Sequence, residues 1–484
     1  MKKRSIKVNA ILNSIRIIMN IIFPLITFPY AARVLGTENI GKIQFSSSIT
    51  VFVSLFAALG ISNYAAREGA ALRDDRKKIS NFASSIFSLN LIFTFIAYII
   101  LFLLLMMPTK LASYKVIILI LSIQVLFTTL GVDWVNNVYE DYMYITVRTI
   151  ISQLIALSLT FIFIKKPNDY YIYAIITVVA NSVTNILNYF HVRKYCDIHF
   201  TLKNNYRKHM KPILILFANN LAQQIYINSD SIMLGMLATD YNVGLYSVAV
   251  KIYSMVKALL NGIITVAIPR MAYYSSKYPN KFCELGEKIF KSSILFLLPV
   301  VLLLFLLSDN IVIFLSGYEF VSAGLTIKIL SLGLIFAVFA NLFCNGVLIV
   351  KKKEKYVLKA TIIAALVNLI LNIFFINFFQ QNGAAITTVL SEFIVMFYTY
   401  KKAKKYLKIK DMKWEIFTEF LGSVSIVFCY CLLIEIELSN FLSIIFITLV
   451  CCLTYLITLY ILKNKTLMLL VDEVNSKVKL YLRC

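Results

Sequence analysis

Cationic side chains lie deep inside long apolar runs of this sequence, where a charge is costly. Arg16, Lys251 and Lys257 each sit well inside a run long enough to cross a bilayer. A basic residue at mid-membrane costs about 2.5–3.5 kcal/mol, so it usually faces a partner or a water-filled cavity. Cations attract phosphate groups, and amides hydrogen-bond to sugar hydroxyls. These residue types therefore favour an anionic, hydroxyl-rich ligand over an organic cation.

Amide side chains accompany these cations along the same predicted helices. Arg16 and Asn20 share one helix face at about 100° per residue. The residues that we predict to bind substrate from this pattern are Arg16, Asn20, Asn219, Gln223, Lys251 and Lys257. For the lone amides, hydrogen bonding between neighbouring helices is the alternative interpretation.

Two acids also lie deep in apolar runs, Asp230 and Glu392. They could pair with the buried lysines, or they could bind a coupling proton or sodium ion, and both interpretations stay open. Glu419 lies near the end of its predicted span, so we expect its side chain to reach towards water.

The composition places these residues in a membrane protein. Of 484 residues, 60% are hydrophobic and 15% are charged, against about 45–50% and 25% in soluble domains. The apolar runs predict an all-α polytopic fold with fourteen transmembrane helices. With the N-terminus in the cytoplasm, 38 of the 48 Lys and Arg residues fall on the inner side. This distribution predicts cytoplasmic N- and C-termini, and it explains the net charge of +24 without nucleic-acid binding.

The chain also repeats with an offset of 203 residues, which brings Gly41 onto Gly244 and Arg16 onto Asn219. Six predicted spans separate the copies, so both have the same orientation, as in many transporters. We therefore predict two pseudo-symmetric six-helix bundles, 1–200 and 201–402. Two extra helices and a cytoplasmic tail follow in 403–484.

Catalytic signatures are missing from the sequence. It contains no Gly-x-x-x-x-Gly-Lys-[Ser/Thr] and no His-Glu-x-x-His. A membrane polymerase or ligase would need a large outer loop, and the longest outer gap, about 308–322, offers only Asp309 and Glu319. We therefore expect a protein that is not an enzyme and that needs no cofactor or metal.

Several short motifs resemble those of a known transporter family. They include residues 28–36 (Phe-Pro-Tyr-Ala-Ala-Arg-Val-Leu-Gly), Ala66-Arg67-Glu68, Asp133-Trp134 and Ile268-Pro269-Arg270. Together they resemble the Wzx-type polysaccharide repeat-unit flippases of the multidrug/oligosaccharidyl-lipid/polysaccharide exporter superfamily.

The resemblance implies a bacterial cytoplasmic-membrane protein with a central cationic cavity. It implies alternating-access movement of an undecaprenyl-diphosphate-linked oligosaccharide for O-antigen, capsule or a related glycan. It also makes Arg33 a contact for the lipid carrier, with membrane lipids and a polysaccharide polymerase as partners. The alternative function, a cation-coupled multidrug exporter, is favoured only by Asp230 and Glu392.

Overall fold

The computed structural model describes residues 6–201, 206–409, 412–434 and 440–481. Regular structure within these ranges is helical throughout, which confirms the predicted all-α polytopic fold. Apolar runs form helices because a bilayer offers no water to satisfy backbone N–H and C=O groups. The chain divides into two compact units, Met1–Gly244 (unit 1) and Leu245–Cys484 (unit 2). The three predicted segments, 1–200, 201–402 and 403–484, stay a prediction.

Unit 1 consists of long helices joined by short turns. Two 3₁₀ turns, Lys110–Tyr114 and Pro167–Asp169, precede its fifth and eighth helices. Its helices are α1 (Ile6–Leu35), α2 (Thr37–Ala58), α3 (Ile61–Leu72), α4 (Arg76–Met106), α5 (Lys115–Gly131), α6 (Trp134–Val138), α7 (Tyr142–Phe163), α8 (Tyr170–Val192) and α9 (Arg207–Leu237).

The next helix starts in unit 1 and continues through unit 2. A 3₁₀ turn, Tyr318–Phe320, and a π-helix, Leu342–Ile349, interrupt the regular helices of unit 2. The helices are α10 (Asp240–Lys277), α11 (Pro279–Leu306), α12 (Ser308–Ser316), α13 (Ala323–Asn341), α14 (Glu354–Ala403), α15 (Lys413–Leu433), α16 (Asn440–Ile461) and α17 (Lys465–Tyr481).

Twelve segments in the described part of the chain are long and apolar enough to cross a membrane. The 31 residues of α9 are long enough, but α9 is not one of the twelve. Polar residues such as Asn219, Gln223 and Asp230 interrupt its apolar sequence. The predicted count of fourteen is therefore not confirmed, although the multi-pass character of the protein is.

Helix α14 is a pair of helices joined by a sharp turn. Its 50 residues would extend about 75 Å as one straight helix, more than twice the roughly 30 Å of a hydrocarbon core. Gln380 breaks it, with φ 51° and ψ −127°. A Cβ on Gly383 would lie 2.0 Å from the Phe375 carbonyl oxygen, so the backbones on the two sides of the break touch. The chain therefore reverses here within a few residues.

The short helix α6 anchors one end of unit 1. Trp134 is buried and packs its ring edge-on against Phe82, with ring centroids 5.8 Å apart. Val135 and Ile79 join the same apolar cluster, which links α3, α4 and α6. This packing fixes the polar residues that flank α6.

In unit 2, α15 and α16 pack against α11 around one buried aromatic ring. Tyr455 of α16 is buried, and its hydroxyl donates to the Leu295 carbonyl at 3.1 Å. A Cβ on Gly422 of α15 would lie 2.8 Å from the Tyr455 ring, so only a residue without a side chain fits there. The outward apolar residues, such as Phe428 at 66% exposure, suit a lipid surface.

Candidate functional site

The residues of α1 that we predict to bind substrate lie on a helix that packs against α7. The Arg16 guanidinium donates from Nη2 to Asn13 Oδ1 at 2.8 Å, and its buried Nε has no hydrogen-bond partner among the described residues. Four residues further on, Asn20 accepts a hydrogen bond from Gln153 of α7 at 2.7 Å. Arg16 is half-buried and Asn20 is exposed. The helix thus presents a cation with unused donor capacity and an accessible amide on one face.

Arg33 lies at the opposite end of α1. It occupies the last turn of the helix and is exposed. Seventeen residues separate it from Arg16, which corresponds to about 25 Å along a helix. The two arginines therefore cannot contact the same phosphate group.

Helix α9 carries two amides that we predict to bind substrate and one candidate coupling acid, and these residues differ in their exposure. Gln223 is exposed and Asn219 is half-buried, whereas Asp230 is only 4% exposed. Asp230 lies seven residues beyond Gln223, about 10 Å along the helix axis. The amides can meet a ligand from this helix, and the acid is enclosed by protein.

In unit 2, the structure brings a predicted cation and a predicted acid together. Lys257 Nζ lies 2.5 Å from Glu392 Oε1, and the Tyr253 hydroxyl donates to the same oxygen at 3.3 Å. The side chain of Lys257 is 28% exposed and that of Glu392 only 6%. The pairing of acid with lysine is thus observed for Glu392. Lys251, six residues earlier on α10, is half-buried.

Beyond this ion pair, a row of amides joins α10 to the end of α13 and the π-helix that follows it. Asn341 donates to Asn261 at 2.9 Å, and Asn345 donates to Asn341 at 2.5 Å. Asn345 lies in the π-helix Leu342–Ile349, a widened turn that is frequent at functional sites. No pattern in the sequence indicates the π-helix.

A second polar group, in unit 1, was not predicted as a site. The Asp141 carboxylate accepts hydrogen bonds from His191 at 2.9 Å and from the Tyr195 hydroxyl at 2.7 Å. The imidazole of His191 stacks on Tyr144, with centroids 3.5 Å apart. These residues meet because α7 and α8 pack against each other and are joined by a short turn, which places Asp141 at the start of α7 beside His191 at the end of α8.

Burial raises the pKa of Asp141, but hydrogen bonds from Tyr195 and His191 outweigh it, so the net pKa lies below the usual value. A depressed pKa in the folded state means that this carboxylate stabilises unit 1 above its unfolded pKa of about 3.9. That contribution is lost as the pH falls through the lower, folded pKa.

Asp141→Asn is therefore expected to lower the unfolding free energy by about 1.5–3 kcal/mol at neutral pH, because charge-assisted hydrogen bonds are lost. The difference from wild type should shrink as the pH falls below about 4. Denaturant unfolding of the purified proteins, from neutral pH to below about 4, measures this difference in unfolding free energy. Asp74→Asn, an exposed acid, is the control. A pH-independent difference would contradict the assignment.

Comparison with known proteins identifies the family. A family model described as "Polysaccharide biosynthesis protein" matches residues 6–275. The chain belongs to this polysaccharide biosynthesis protein family. A second model, described as MatE, matches residues 216–374.

Relatives of this family member cover most of its length. It is 25% identical over 385 residues to the "Putative O-antigen transporter" of Escherichia coli (strain K12), which covers 78% of this chain and 91% of that protein. It is 24% identical over 386 residues to the "Capsular polysaccharide biosynthesis protein CapF" of Staphylococcus aureus, with 76% and 92% covered. The resemblance predicted from the motifs is thus confirmed.

Two solved structures share the fold of this family member. The "Lipid II flippase MurJ, inward closed conformation" aligns over 93% of this chain and 98% of that one, with a TM-score of 0.75 and 21% identity. An outward-facing multidrug resistance MATE family transporter aligns over 82% and 93%, with a TM-score of 0.51 and 15% identity. Both comparisons describe the fold alone.

Proposed function

We propose that this protein moves an undecaprenyl-diphosphate-linked oligosaccharide repeat unit across a membrane, for O-antigen, capsule or a related surface polysaccharide. The observation that carries the proposal is its membership of the polysaccharide biosynthesis protein family. Its similarity to an O-antigen transporter over 91% of that protein supports the same function. The protein acts as a transporter and performs no catalysis.

The diphosphate is bound by cations within the spans. Arg16 supports this role because its buried Nε still has a hydrogen bond to give. Lys251 and Lys257 supply further positive charge from unit 2, and Asn20, Asn219 and Gln223 supply amides for sugar hydroxyls. Arg33, at the far end of α1, contacts the lipid carrier at the outer surface. Transport by alternating access through a cationic cavity follows as part of the proposal.

Asp230 and Glu392 are the proposed coupling residues. Glu392 already neutralises Lys257, so a substrate diphosphate that takes over Lys257 would free the acid for a proton or a sodium ion. This exchange links substrate binding to cation binding at one buried pair.

The proposed setting is the bacterial cytoplasmic membrane, with the N- and C-termini in the cytoplasm. The excess of Lys and Arg on one side of the predicted spans supports this orientation. A polysaccharide polymerase on the outer side is the proposed partner, because it would consume the translocated repeat unit.

The test is surface glycan in a strain that lacks this gene, complemented with variants. Arg16→Ala and Lys251→Ala should reduce export roughly 10- to 100-fold at unchanged protein level, since each loses a charge-assisted contact to phosphate. Lys77→Ala, an exposed cation of unit 1, should export normally. Normal glycan in the deletion strain would overturn the function, and normal glycan in both variants would overturn the site.

Multidrug export is the second candidate, because the MatE model matches residues 216–374. The same deletion strain distinguishes the two functions. An altered drug-resistance profile with intact surface glycan would favour the exporter.

A further inference from the structure

Two glutamates are buried on one face of α15, outside the predicted repeat. Glu415 and Glu419 lie one helical turn apart and are 2% and 1% exposed. Side chains four residues apart on a helix are neighbours, with Cβ atoms about 6 Å apart. The expectation that Glu419 reaches water from the end of its span was wrong, because α11 and α16 cover this face.

One lysine serves this acidic pair. Lys291 of α11 lies 2.9 Å from Glu287 Oε1 and 3.4 Å from Glu415 Oε1. The second carboxylate oxygen of Glu415 and both oxygens of Glu419 have no hydrogen-bond partner in the described ranges. Lys291 is therefore already paired with two other carboxylates, those of Glu287 and Glu415.

Within the described part of the chain, no cation forms an ion pair with Glu419. The nearby Tyr455 of α16 gives its hydroxyl hydrogen to the Leu295 carbonyl at 3.1 Å. On α15 itself, Glu415 is a like charge. Of the remaining charged residues on this side of α11, Glu284 is acidic and Lys288 lines the pocket described below. An ionised carboxylate buried without a partner costs several kcal/mol, so the neutral acid is the favoured form of Glu419.

A pocket lies beside Lys291, at one end of this cluster. It has a volume of about 240 Å³, is open on one side and lies between α11 and α17. Lys291 and Glu287 both line it, together with Thr466 of α17. Lys291 in turn contacts Glu415, the neighbour of Glu419. Titratable groups thus continue from the pocket wall to the buried acid.

We propose that Glu419 is a proton-binding site, loaded from this pocket through Glu287, Lys291 and Glu415, whose proton is exchanged during transport. Only O–H and N–H bonds form or break: each group on the path passes on one proton as it accepts another, so a solvent donor loses a proton and a carboxylate oxygen of Glu419 gains one. The inference rests on the proposed function, because it makes a proton the ligand that accompanies translocation. It is separate from the pairing of Glu392 with Lys257.

Infrared difference spectra of the purified full-length protein in lipid nanodiscs test the site without any transport. A carboxylic acid C=O band should be present at neutral pH, should shift in D₂O and should vanish in Glu419→Gln. Glu354→Gln, an exposed acid on α14, should keep the band. Glutamine matches the shape of the protonated acid, so the variant is expected to fold. Absence of an exchangeable acid band from the wild type, or its persistence in Glu419→Gln, would overturn the proposal.

Transport of labelled lipid-linked oligosaccharide into vesicles, with and without a pH gradient, tests the exchange. The wild type should respond to the gradient, whereas Glu419→Gln should respond more weakly, because the proposed coupling residues Asp230 and Glu392 remain. A wild-type response to the gradient in Glu419→Gln would overturn the role in transport. Absence of transport in the wild type would instead overturn the proposed function, and the infrared result would stand on its own.

Discussion

Replacing Lys257 with alanine is expected to abolish glycan export and to destabilise unit 2. Among the described residues, the change leaves the Glu392 carboxylate, which is 5% exposed, with a single side-chain hydrogen-bond donor, the Tyr253 hydroxyl at 3.3 Å. Removing one partner of a buried ion pair costs about 3–5 kcal/mol, because the other charge stays buried without compensation. Denaturant unfolding of the purified variant measures the loss, and surface glycan measures export.

The double variant Lys257→Ala/Glu392→Gln separates the two roles of the lysine. Removing both charges should recover most of the lost stability, while export should stay absent because the proposed phosphate contact is gone. Lys359→Ala, an exposed cation on α14, is the control and should change neither quantity. Recovery of export in the double variant would show that Lys257 only neutralises Glu392.

Gly41→Ala is expected to disrupt the packing of α2 against the first turn of α10. A Cβ on Gly41 would lie 1.9 Å from the Asp240 carbonyl oxygen and 3.0 Å from the Gly244 nitrogen. Both contacts are with backbone, which cannot move aside as a flexible side chain can. Overpacking costs about 1–3 kcal/mol, and contacts with rigid backbone place Gly41→Ala at the upper end of that range. Thermal unfolding in detergent measures the loss of stability.

A matched glycine on α10 serves as the control for this change. Gly262 has no atom within 4 Å of its ideal Cβ position. Alanine there should leave stability unchanged or raise it by up to about 1 kcal/mol, since alanine is the better helix former. Gly244→Ala should resemble Gly41→Ala, because its Cβ would lie 2.1 Å from the Thr37 carbonyl oxygen. Equal stabilities of Gly41→Ala and Gly262→Ala would contradict the close approach.

Much of the fold could be predicted from the sequence because burial in lipid has a simple signature. Apolar runs of sufficient length must form helices there, and the positions of Gly41 and Gly244 in the repeat pointed to two related turns. In the structure, Gly41 of α2 packs against the start of α10, and Gly244 of α10 packs against the start of α2. Lys257 and Glu392 were likewise both recognised as deep charges, although their pairing was one of two interpretations.

Other parts of the candidate site depend on contacts between distant segments, which hydropathy cannot supply. Hydropathy placed Glu419 near the end of its span, but α11 and α16 bury it. The contact between Asp141 and His191 arises from the packing of α7 against α8. The role of Arg33 as a contact for the lipid carrier came from the family resemblance. Its distance from Arg16 follows from the structure, in which both arginines lie on the continuous helix α1.

The break at Gln380 leaves almost no loop between the two halves of α14. Because residues 375 and 383 already touch through their backbones, the pair reverses direction within the few residues around Gln380. A protease would therefore find no extended strand to cleave at this end. An epitope tag inserted there would have to force apart two packed backbones, so labels intended to report on this pair belong at Lys353 or beyond Ala403.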